Sequence, residues 1–349
     1  MASKQSIIWL MKVWELGEFG LIELLAEVVA QQRKLADDGL VIGIGDDAAV
    51  WRAGEELVLG TTDSLVEGTH FRLTTTTWRD LGWKALAVNI SDIAAMGGIP
   101  RHVLVSLCLP PDTEVDSVTE LYQGLAEVAA KFGVAIAGGN VTRAPSLVIN
   151  ISVVGAGGPG ILTRSAALPG ESIAVTGYLG QAAAGLRMLN SGLKFGRKTT
   201  AFLRQAHLRP APRVDEGRLL IEQGVRAAID LSDGLLSDLG HICKASGVGA
   251  RLWLKRLPIH PLVRKAFGED ALGLALSGGE DYELLFTAEP ELVNRLKRLM
   301  PCPVTEIGQV VGAEPAEVLL LDDKGRVVDW AERGWDHFRR DELCGDYQQ

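Results

Sequence analysis

Short apolar runs in the first half of the chain alternate with segments that repeat apolar residues at helical spacing. Runs rich in Val, Ile and Leu between Gly, Pro or Asn residues predict strands. Apolar residues at positions 115, 118, 121, 125, 128 and 132, followed by a glycine, predict a helix that ends there. The predicted strands are Leu57–Thr62, His102–Leu109, Val134–Ala137 and Leu147–Gly155, and the predicted helices are Trp78–Met96 and Val115–Phe132.

The same alternation returns after the densest Gly/Pro run of the chain, GAGGPG at residues 155–160, which marks a domain boundary. The strands predicted beyond it are Ser172–Thr176, Ala227–Asp230 and Tyr282–Thr287, and the helices are Gly234–Ala245 and Pro290–Met300. Strands that alternate with helices are typical of layered folds. We therefore predict an α/β (α+β) fold of two domains, residues 17–157 and 158–345.

Composition narrows the class of protein. The chain has 349 residues, of which 47% are hydrophobic and 23% charged, as expected for a soluble protein with two cores. Its net charge of -9 argues against nucleic-acid and membrane partners, and no apolar run has the roughly 20 residues that a membrane span needs. The four cysteines form no C-x-x-C pair, so we expect a cytoplasmic protein.

Acidic residues recur where apolar segments end, beside small or hydroxyl residues rather than Lys or Arg. A buried carboxylate is costly unless it is hydrogen-bonded, paired or bound to a metal. Asp92 shares one helical row with Leu81, Ala85, Val88 and Ala95, which directs its carboxylate along an apolar face. Oxygen ligands favour Mg²⁺, Ca²⁺ or Mn²⁺ over zinc. The acidic candidates are Asp46, Asp47, Asp63, Asp92, Asp230, Asp233, Asp238, Glu280 and Asp281.

Taken singly, most of these residues have a structural alternative. Asp46 and Asp47 fit a solvated turn, and Asp63 fits a cap for the next segment. Ser232 and Asp233 fit a helix N-cap, although a helix N-terminus also suits a phosphate. The turn with Glu280 could simply be exposed, and spacing alone gives His70 a surface or hydrogen-bonded role. The argument for a site rests on the whole set.

Common nucleotide-binding motifs are missing from the sequence. There is no G-x-x-x-x-G-K-[ST] motif, and the segment 192–199 that comes nearest has the wrong spacing and reads as a basic surface loop. The protein-kinase signatures are also missing. Residues 176–180, TGYLG after a strand, are a weak phosphate-loop candidate. Spacing alone thus predicts a metal-dependent α/β protein and leaves phosphate chemistry open.

Nine blocks of the chain, spread from about Gly17 to Phe338, resemble in the same order those of the thiamine-monophosphate kinase family. That family belongs to the superfamily that includes aminoimidazole ribonucleotide synthetase. Any one block would be weak evidence, whereas the ordered set is specific. The blocks are GIGDDAAV, TTDSLVEGTHF, KALAVNISDIAAMGGIP, GGNVTR, LTRS, HLRPAPR, AIDLSDGLLSDLGHI, LSGGEDYELLFT and GWDHF.

The resemblance implies an enzyme that transfers the γ-phosphoryl group of ATP to thiamine monophosphate with the help of several Mg²⁺ ions. It also implies a two-domain aminoimidazole ribonucleotide synthetase-like fold and a homodimer, in which the N-terminal mixed sheets of two copies complete a barrel. The active site would lie in a cleft near the dimer interface.

Residue roles follow from position in the matched blocks. Metal ligands would be Asp47, Thr61, Thr62, Asp63, Asp92, Asn140, Asp230 and Asp233. ATP contacts would be Tyr122, Gly139, Asn140, Arg164 and Ser232, and the thiamine substrate would meet His70, Glu280 and Trp335. The transfer itself would depend on Asp47, Asp63, Asp92, Asp233 and Arg164. The family commonly has Asp at the position of Asn140, and the amide keeps a carbonyl ligand but loses a negative charge.

Two other functions remain open at this point. One is an ATP-dependent enzyme of the same superfamily with a different acceptor. The other is a non-catalytic nucleotide-binding module. The retention of so many acidic residues argues against this second function.

Overall fold

The computed structural model of the chain describes residues 12–33, 39–158, 160–312, 317–331 and 334. Two mixed β-sheets organise it. The first sheet has six strands in the order β1-β2-β3-β6-β4-β5, and only the β4–β5 pair is parallel. Its strands are β1 (Leu40–Ile42), β2 (Ala49–Ala53), β3 (Glu56–Val66), β4 (Ile99–Leu109), β5 (Ala135–Arg143) and β6 (Val148–Ala156).

The second sheet has seven strands in the order β13-β12-β9-β11-β7-β10-β8, with a single parallel pair, β9–β12. The three neighbouring strands β7, β10 and β8 are buried along their whole length. The strands are β7 (Ser172–Thr176), β8 (Ala227–Asp230), β9 (Gly249–Trp253), β10 (Leu284–Ala288), β11 (Val304–Val311), β12 (Val318–Leu321) and β13 (Val327–Val328).

Helices cover the sheets and connect them. In the first half they are α1 (Val13–Arg33), with a kink at Gly17, α2 (Trp78–Ala95) and α3 (Val115–Phe132). In the second half they are α4 (Gln181–Asn190), α5 (Arg197–Leu208), α6 (Val214–Glu222), α7 (Leu235–Ser246), α8 (Pro261–Phe267), α9 (Asp270–Ser277) and α10 (Pro290–Leu299), with a 3₁₀ turn at Leu254–Arg256. No helix in these described stretches combines the length and the apolar character that a membrane crossing requires.

Helix α2 lies at the junction of the two halves. It begins where the Thr77 hydroxyl accepts a hydrogen bond from the backbone N–H of Asp80, and it is buried on nearly every side. Its contacts include the first sheet, α3, α6 and β8. Close packing depends on Gly82, because a Cβ there would lie 1.9 Å from the carbonyl oxygen of Leu121 on α3. Residues of α2 therefore reach both sheets.

The structure confirms the predicted two-domain α/β class with mixed sheets. Strands β7 and β8 and helix α3 have the predicted bounds, and the other predicted elements differ at their ends. The sequence reading missed the short β1–β2 hairpin and most helices of the second half. It was also wrong about the end of the basic loop at residues 192–199, since α5 begins at Arg197. Neither sheet closes on itself in the part of the chain that the structure describes, so the barrel stays a prediction.

Candidate active site

Three aspartates from separate parts of the chain meet at the end of α2. Asp47 follows β1, Asp92 lies in the last turn of α2, and Asp230 ends β8. Each places one carboxylate oxygen within 4.8 Å of those of the other two. We call these three residues the carboxylate cluster. It joins the two halves of the chain, as the acidic pattern of the sequence suggested.

Neighbouring hydroxyl groups fix two members of the cluster. The Thr61 hydroxyl on β3 donates to Oδ2 of Asp92 over 2.7 Å, and the Ser91 hydroxyl donates to Oδ2 of Asp230 over 2.6 Å. Ser91 precedes Asp92 in α2. Two consecutive residues of this helix thus supply one carboxylate of the cluster and a hydrogen bond to another. These donors leave the other oxygen of each carboxylate available for a ligand.

Strand β3 explains the positions of three predicted metal ligands. Side chains alternate along a strand, so Thr61 and Asp63 share a face and Thr62 has the opposite one. The backbone N–H of Asp63 donates to Oδ1 of Asn89 on α2 over 3.0 Å. The Thr62 hydroxyl instead donates to the carbonyl oxygen of Ile151 on β6 over 3.0 Å. The structure thus brings Thr61 and Asp63 to α2 but turns the side chain of Thr62 away.

Burial and mutual repulsion favour the protonated forms of the carboxylate cluster. Burial raises the pKa of Asp92 well above its ordinary range, and the charges of Asp63, Asp230 and Asp47 raise it further. Burial, followed by the charge of Asp47, raises the pKa of Asp230 to about 8. Burial also raises the pKa of Asp47, against the opposing effect of Arg164. A bound cation would reverse these shifts.

Arg164 contacts the turn that carries Asp46 and Asp47. Its Nη2 lies 2.5 Å from Oδ1 of Asp47, and its backbone N–H donates to Oδ2 of Asp46 over 3.2 Å. Burial and then the charge of Asp47 raise the pKa of Asp46 to about 6. One guanidinium therefore faces more negative charge than it can balance.

The cluster fits a hard divalent cation such as Mg²⁺. Its donors are carboxylate oxygens with a hydroxyl neighbour, which are the ligands that Mg²⁺ prefers. Oδ2 of Asp47 is buried and has no hydrogen-bond partner among the described residues. An unpartnered buried oxygen beside two further carboxylates is what a metal ion would satisfy.

A second acidic group lies at the start of α7. Asp233, Asp238 and His241 each place one donor atom within 4.8 Å of the others. Oδ2 of Asp238 accepts the backbone N–H groups of Asp233 and Gly234, over 3.2 and 3.1 Å. The residue at the N-cap position of the helix is Gly234, so Ser232 and Asp233, which the sequence suggested for that position, lie two residues and one residue before it.

Glu280 does not lie on a simply exposed turn. Its Oε1 is 2.5 Å from Nζ of Lys84 on α2, and its Oε2 is 3.1 Å from Nδ1 of His207 on α5. Burial opposes ionisation, but the charge of Lys84 and the contacts with His207 lower the pKa of Glu280 to about 2. This carboxylate is ionised at any physiological pH.

Several predicted residues lie away from the cluster. Tyr122 on α3 packs, partly buried, against the core of the first sheet. Gly139 and Asn140 are exposed on the edge strand β5, three strands from β3, or about 14 Å at ordinary strand spacing. Within one chain, Asn140 is therefore too far away to share an ion with the cluster. Nδ1 of His70 accepts the backbone N–H of Val66 over 3.0 Å, and Trp335 lies outside the described residues.

Sequence reasoning missed Lys84, His207 and Tyr282. Tyr282 is buried, and burial followed by the charges of Glu280, Asp63, Asp230 and Asp92 raises its pKa well above the ordinary value. Its backbone N–H donates to the carbonyl oxygen of Leu231, the residue after Asp230, over 2.9 Å. The signal for Lys84 was a lysine inside the apolar stretch of α2 between Leu81 and Val88.

Backbone N–H groups at the end of the weak phosphate-loop candidate, residues 176–180, already have an acceptor within the protein. The carboxylate of Asp281 accepts the backbone N–H groups of Gly180 and Ala182, over 2.5 and 3.0 Å, at the start of α4. An internal carboxylate thus takes the place that an external anion would need.

Comparisons with known proteins identify the family. The family model for the AIR synthase related protein N-terminal domain matches residues 45–156, and that for the C-terminal domain matches residues 169–320. Thiamine-monophosphate kinase of Escherichia coli (strain K12) is 41% identical over 330 residues, covering 92% of this chain and 98% of that protein. Thiamine-monophosphate kinase of Aquifex aeolicus (strain VF5) is 35% identical over 331 residues, covering 94% of this chain and 100% of that protein.

Comparison with solved structures identifies the same family. AaThiL complexed with AMPPCP and TMP has a TM-score of 0.82 and 34% identity, covering 94% of this chain and 99% of that one. Thiamine-monophosphate kinase from Stenotrophomonas maltophilia K279a has a TM-score of 0.72 and 36% identity, covering 86% of this chain and 96% of that one. This chain belongs to the thiamine-monophosphate kinase family of AIR synthase related proteins, and it is a phosphotransferase.

Proposed function

We propose that this chain transfers the γ-phosphoryl group of ATP to the phosphate of thiamine monophosphate, giving thiamine diphosphate and ADP. The observation that carries the proposal is the convergence of Asp47, Asp92 and Asp230 from both halves of the chain. The names of the relatives support the acceptor, and the AaThiL complex with AMPPCP and TMP supports a site for both substrates in that protein.

Asp47, Asp92 and Asp230 would hold Mg²⁺, with Asp63 and Thr61 beside them and Asp233 at the start of α7. Bound there, Mg²⁺ would reduce the repulsion between two phosphate-bearing substrates and the carboxylates. The unpartnered Oδ2 of Asp47 and the raised pKa of Asp230 both support this placement.

The reaction needs no general base from this chain. The acceptor oxygen belongs to a phosphate whose second pKa is about 6, so it is mostly ionised at neutral pH. Direct in-line transfer then requires the chain to orient both substrates and to balance charge. We assign to Arg164, which contacts Asp47, the role of balancing negative charge on the transferred group once Mg²⁺ has neutralised the neighbouring carboxylates.

We further propose a homodimer joined through the N-terminal sheets, which complete a barrel. Leu104 and Val141 are 50% and 66% exposed on neighbouring strands of the first sheet, which supports a covered surface there. A second copy could then bring Gly139, Asn140 and Tyr122 to a site that they cannot reach within one chain. Domain bounds at 17–157 and 158–345 and a cytoplasmic location belong to the same proposal.

The direct test is incubation of the purified protein with ATP, Mg²⁺ and thiamine monophosphate, followed by ³¹P NMR of the products. The proposal expects stoichiometric ADP and thiamine diphosphate, and no product from unphosphorylated thiamine. Asp63→Asn, which keeps the shape of the side chain, should abolish transfer with nearly unchanged thermal unfolding. ATP binding without formation of thiamine diphosphate would overturn the proposal.

A further inference from the structure

Each carboxylate of the cluster has one oxygen that a donor of the protein already contacts. Arg164 contacts Oδ1 of Asp47, and hydroxyl groups donate to Oδ2 of Asp92 and to Oδ2 of Asp230. Such a donor competes with a cation for that oxygen and fixes the plane of the carboxyl group. Each carboxylate therefore offers a cation one oxygen more readily than two.

The donor to Asp230 is Ser91, whose side chain is fully buried within α2. A serine inside a helix commonly donates to the carbonyl oxygen four residues earlier or faces water. The hydroxyl of Ser91 instead donates across the junction of the two halves, over 2.6 Å, to a residue 139 positions further along the chain. This hydroxyl thus acts on the carboxylate cluster rather than on its own helix.

The backbone is fixed on both sides of this hydrogen bond. Strand β8 pairs with β10 as far as Asp230, which lies opposite Leu284. One turn beyond Ser91, a Cβ at Gly217 on α6 would lie 2.1 Å from the carbonyl oxygen of Ala94, so the backbones of α2 and α6 are in close contact. The freedom that remains is rotation of the Asp230 carboxyl group, and the hydrogen bond from Ser91 removes it.

The two common hard divalent cations differ in what they need from a carboxylate. Mg²⁺ demands nearly ideal octahedral geometry with oxygens at about 2.0–2.1 Å. Ca²⁺ accepts about six to eight oxygens at about 2.3–2.6 Å, and it takes carboxylates through one oxygen or both. A fixed carboxylate that offers one oxygen therefore suits Mg²⁺, whereas one that can rotate and offer both suits Ca²⁺.

We propose that Ser91 is a positioning residue that determines ion specificity: its hydroxyl holds Asp230 as a single-oxygen ligand and thereby favours Mg²⁺ over Ca²⁺ at the carboxylate cluster. The inference rests on the proposed function, because it takes the cluster as the metal site of that reaction. Hydrogen-bond partners of metal ligands commonly contribute about 10- to 100-fold to metal affinity.

The test is calorimetric titration of Mg²⁺ and, separately, of Ca²⁺ into the metal-free protein and into Ser91→Ala. The substitution should weaken Mg²⁺ binding about 10- to 100-fold. Ca²⁺ binding should change by less than about threefold, because the freed carboxylate can then offer both oxygens. The readout is the ratio of the two affinities, since a merely structural role would weaken the binding of both ions alike.

Two further variants sharpen this readout. Ser91→Cys keeps a weak S–H donor, so its affinity ratio should lie between those of the unmodified protein and Ser91→Ala. Thr287→Val is the matched control, because the buried Thr287 hydroxyl donates to Oε2 of Glu171 over 2.5 Å, at the other end of the β8–β10 pair. This variant should unfold more readily and keep the affinity ratio.

Equal losses for the two ions in Ser91→Ala, or an unchanged Mg²⁺ affinity, would overturn the inference, and so would the same change of ratio in Thr287→Val. If Ser91→Ala does not fold, Ser91→Cys decides: a lowered ratio supports the inference and an unchanged one overturns it. Failure of the proposed function alone looks different, because the protein would then prefer Mg²⁺ as described but form no thiamine diphosphate. Absence of Mg²⁺ binding in the unmodified protein would overturn both.

Discussion

The carboxylate cluster and the group of Glu280, Lys84 and His207, which we call the Glu280 triad, shift the pKa of a carboxyl group in opposite directions. In the cluster, burial and the charge of Asp47 raise the pKa of Asp230 to about 8. In the triad, burial is outweighed by Lys84 and His207, and the pKa of Glu280 falls to about 2. The two regions are neighbours, since the backbone N–H of Glu280 donates to the carbonyl oxygen of Ser232, two residues after Asp230.

The difference is whether the protein itself supplies the counter-cation. Lys84 neutralises Glu280 from within the fold, whereas among the described residues Arg164 is the single cation paired with Asp46 and Asp47 of the cluster's turn. A carboxylate with an internal partner becomes a fixed structural and recognition group. Carboxylates without enough internal partners become a site for an external cation.

Within the carboxylate cluster and the Glu280 triad, the largest expected effect comes from Asp92→Asn. Loss of one ligand oxygen should lower kcat/KM on the order of 10³-fold, because a catalytic metal contributes several kcal/mol. The metal-free unfolding temperature should not fall, since the amide matches the protonated carboxyl group that burial favours. Steady-state kinetics and thermal unfolding check both parts.

Asp281→Asn is the control for that variant, because Asp281 is also buried but binds the start of α4. It should lower stability and leave the stabilisation by Mg²⁺ intact. If Asp92→Asn kept most of the activity, the cluster would not be the metal site.

Removal of an internal counter-cation should have the next largest effect, on stability. Arg213→Met leaves Glu283 buried without its guanidinium, which should cost about 3–5 kcal/mol of unfolding free energy. Urea denaturation measures this loss. A change below about 1 kcal/mol would mean that buried ion pairs do not control this half of the protein.

The pH dependence of stability should distinguish the two regions. Asp230 has a folded pKa of about 8 against an ordinary 3.8, so the unfolded chain binds fewer protons between these values. The metal-free protein should therefore lose stability, by up to roughly 6 kcal/mol from this residue, as pH rises from about 4 to about 8. Chemical denaturation in a metal chelator should show this decline, and Asp230→Asn should flatten it. A stability that instead rises across this range in the chelator, and is unaltered in the variant, would contradict the assigned shift.

The smallest effect is expected at an exposed ion pair. Lys255 and Asp323 lie 3.0 Å apart, but their side chains are 76% and 60% exposed. Lys255→Met should change the unfolding free energy by less than about 0.5 kcal/mol. A larger change, measured by urea denaturation, would show that burial is not what separates the important charges from the rest.

Sequence reasoning succeeded where a local pattern determines the structure. The apolar row of α2 gave both the helix and the inward direction of Asp92, because a helix has a fixed period. The alternation of β3 could also have separated Thr62 from Thr61 and Asp63. The resemblance named Glu280 but gave no reason for its role.

The rest depends on contacts between distant parts of the chain. Lys84, His207 and Glu280 are separated by more than 70 residues at each step, and no local pattern links them. Asn140 illustrates a different gap, since one sequence cannot say whether a ligand comes from the same copy or from another. Its place on an edge strand became visible only in the fold.

Calorimetric titration of Mg²⁺ into the metal-free protein at pH 7, in two buffers with different heats of ionisation, tests the central claim most directly. Because burial and repulsion favour protonated carboxyl groups in the cluster, Mg²⁺ should bind with the release of about one proton or more. Asp92→Asn should weaken this binding. Absence of binding at millimolar Mg²⁺, or binding without proton release and without any effect of the substitution, would contradict the account.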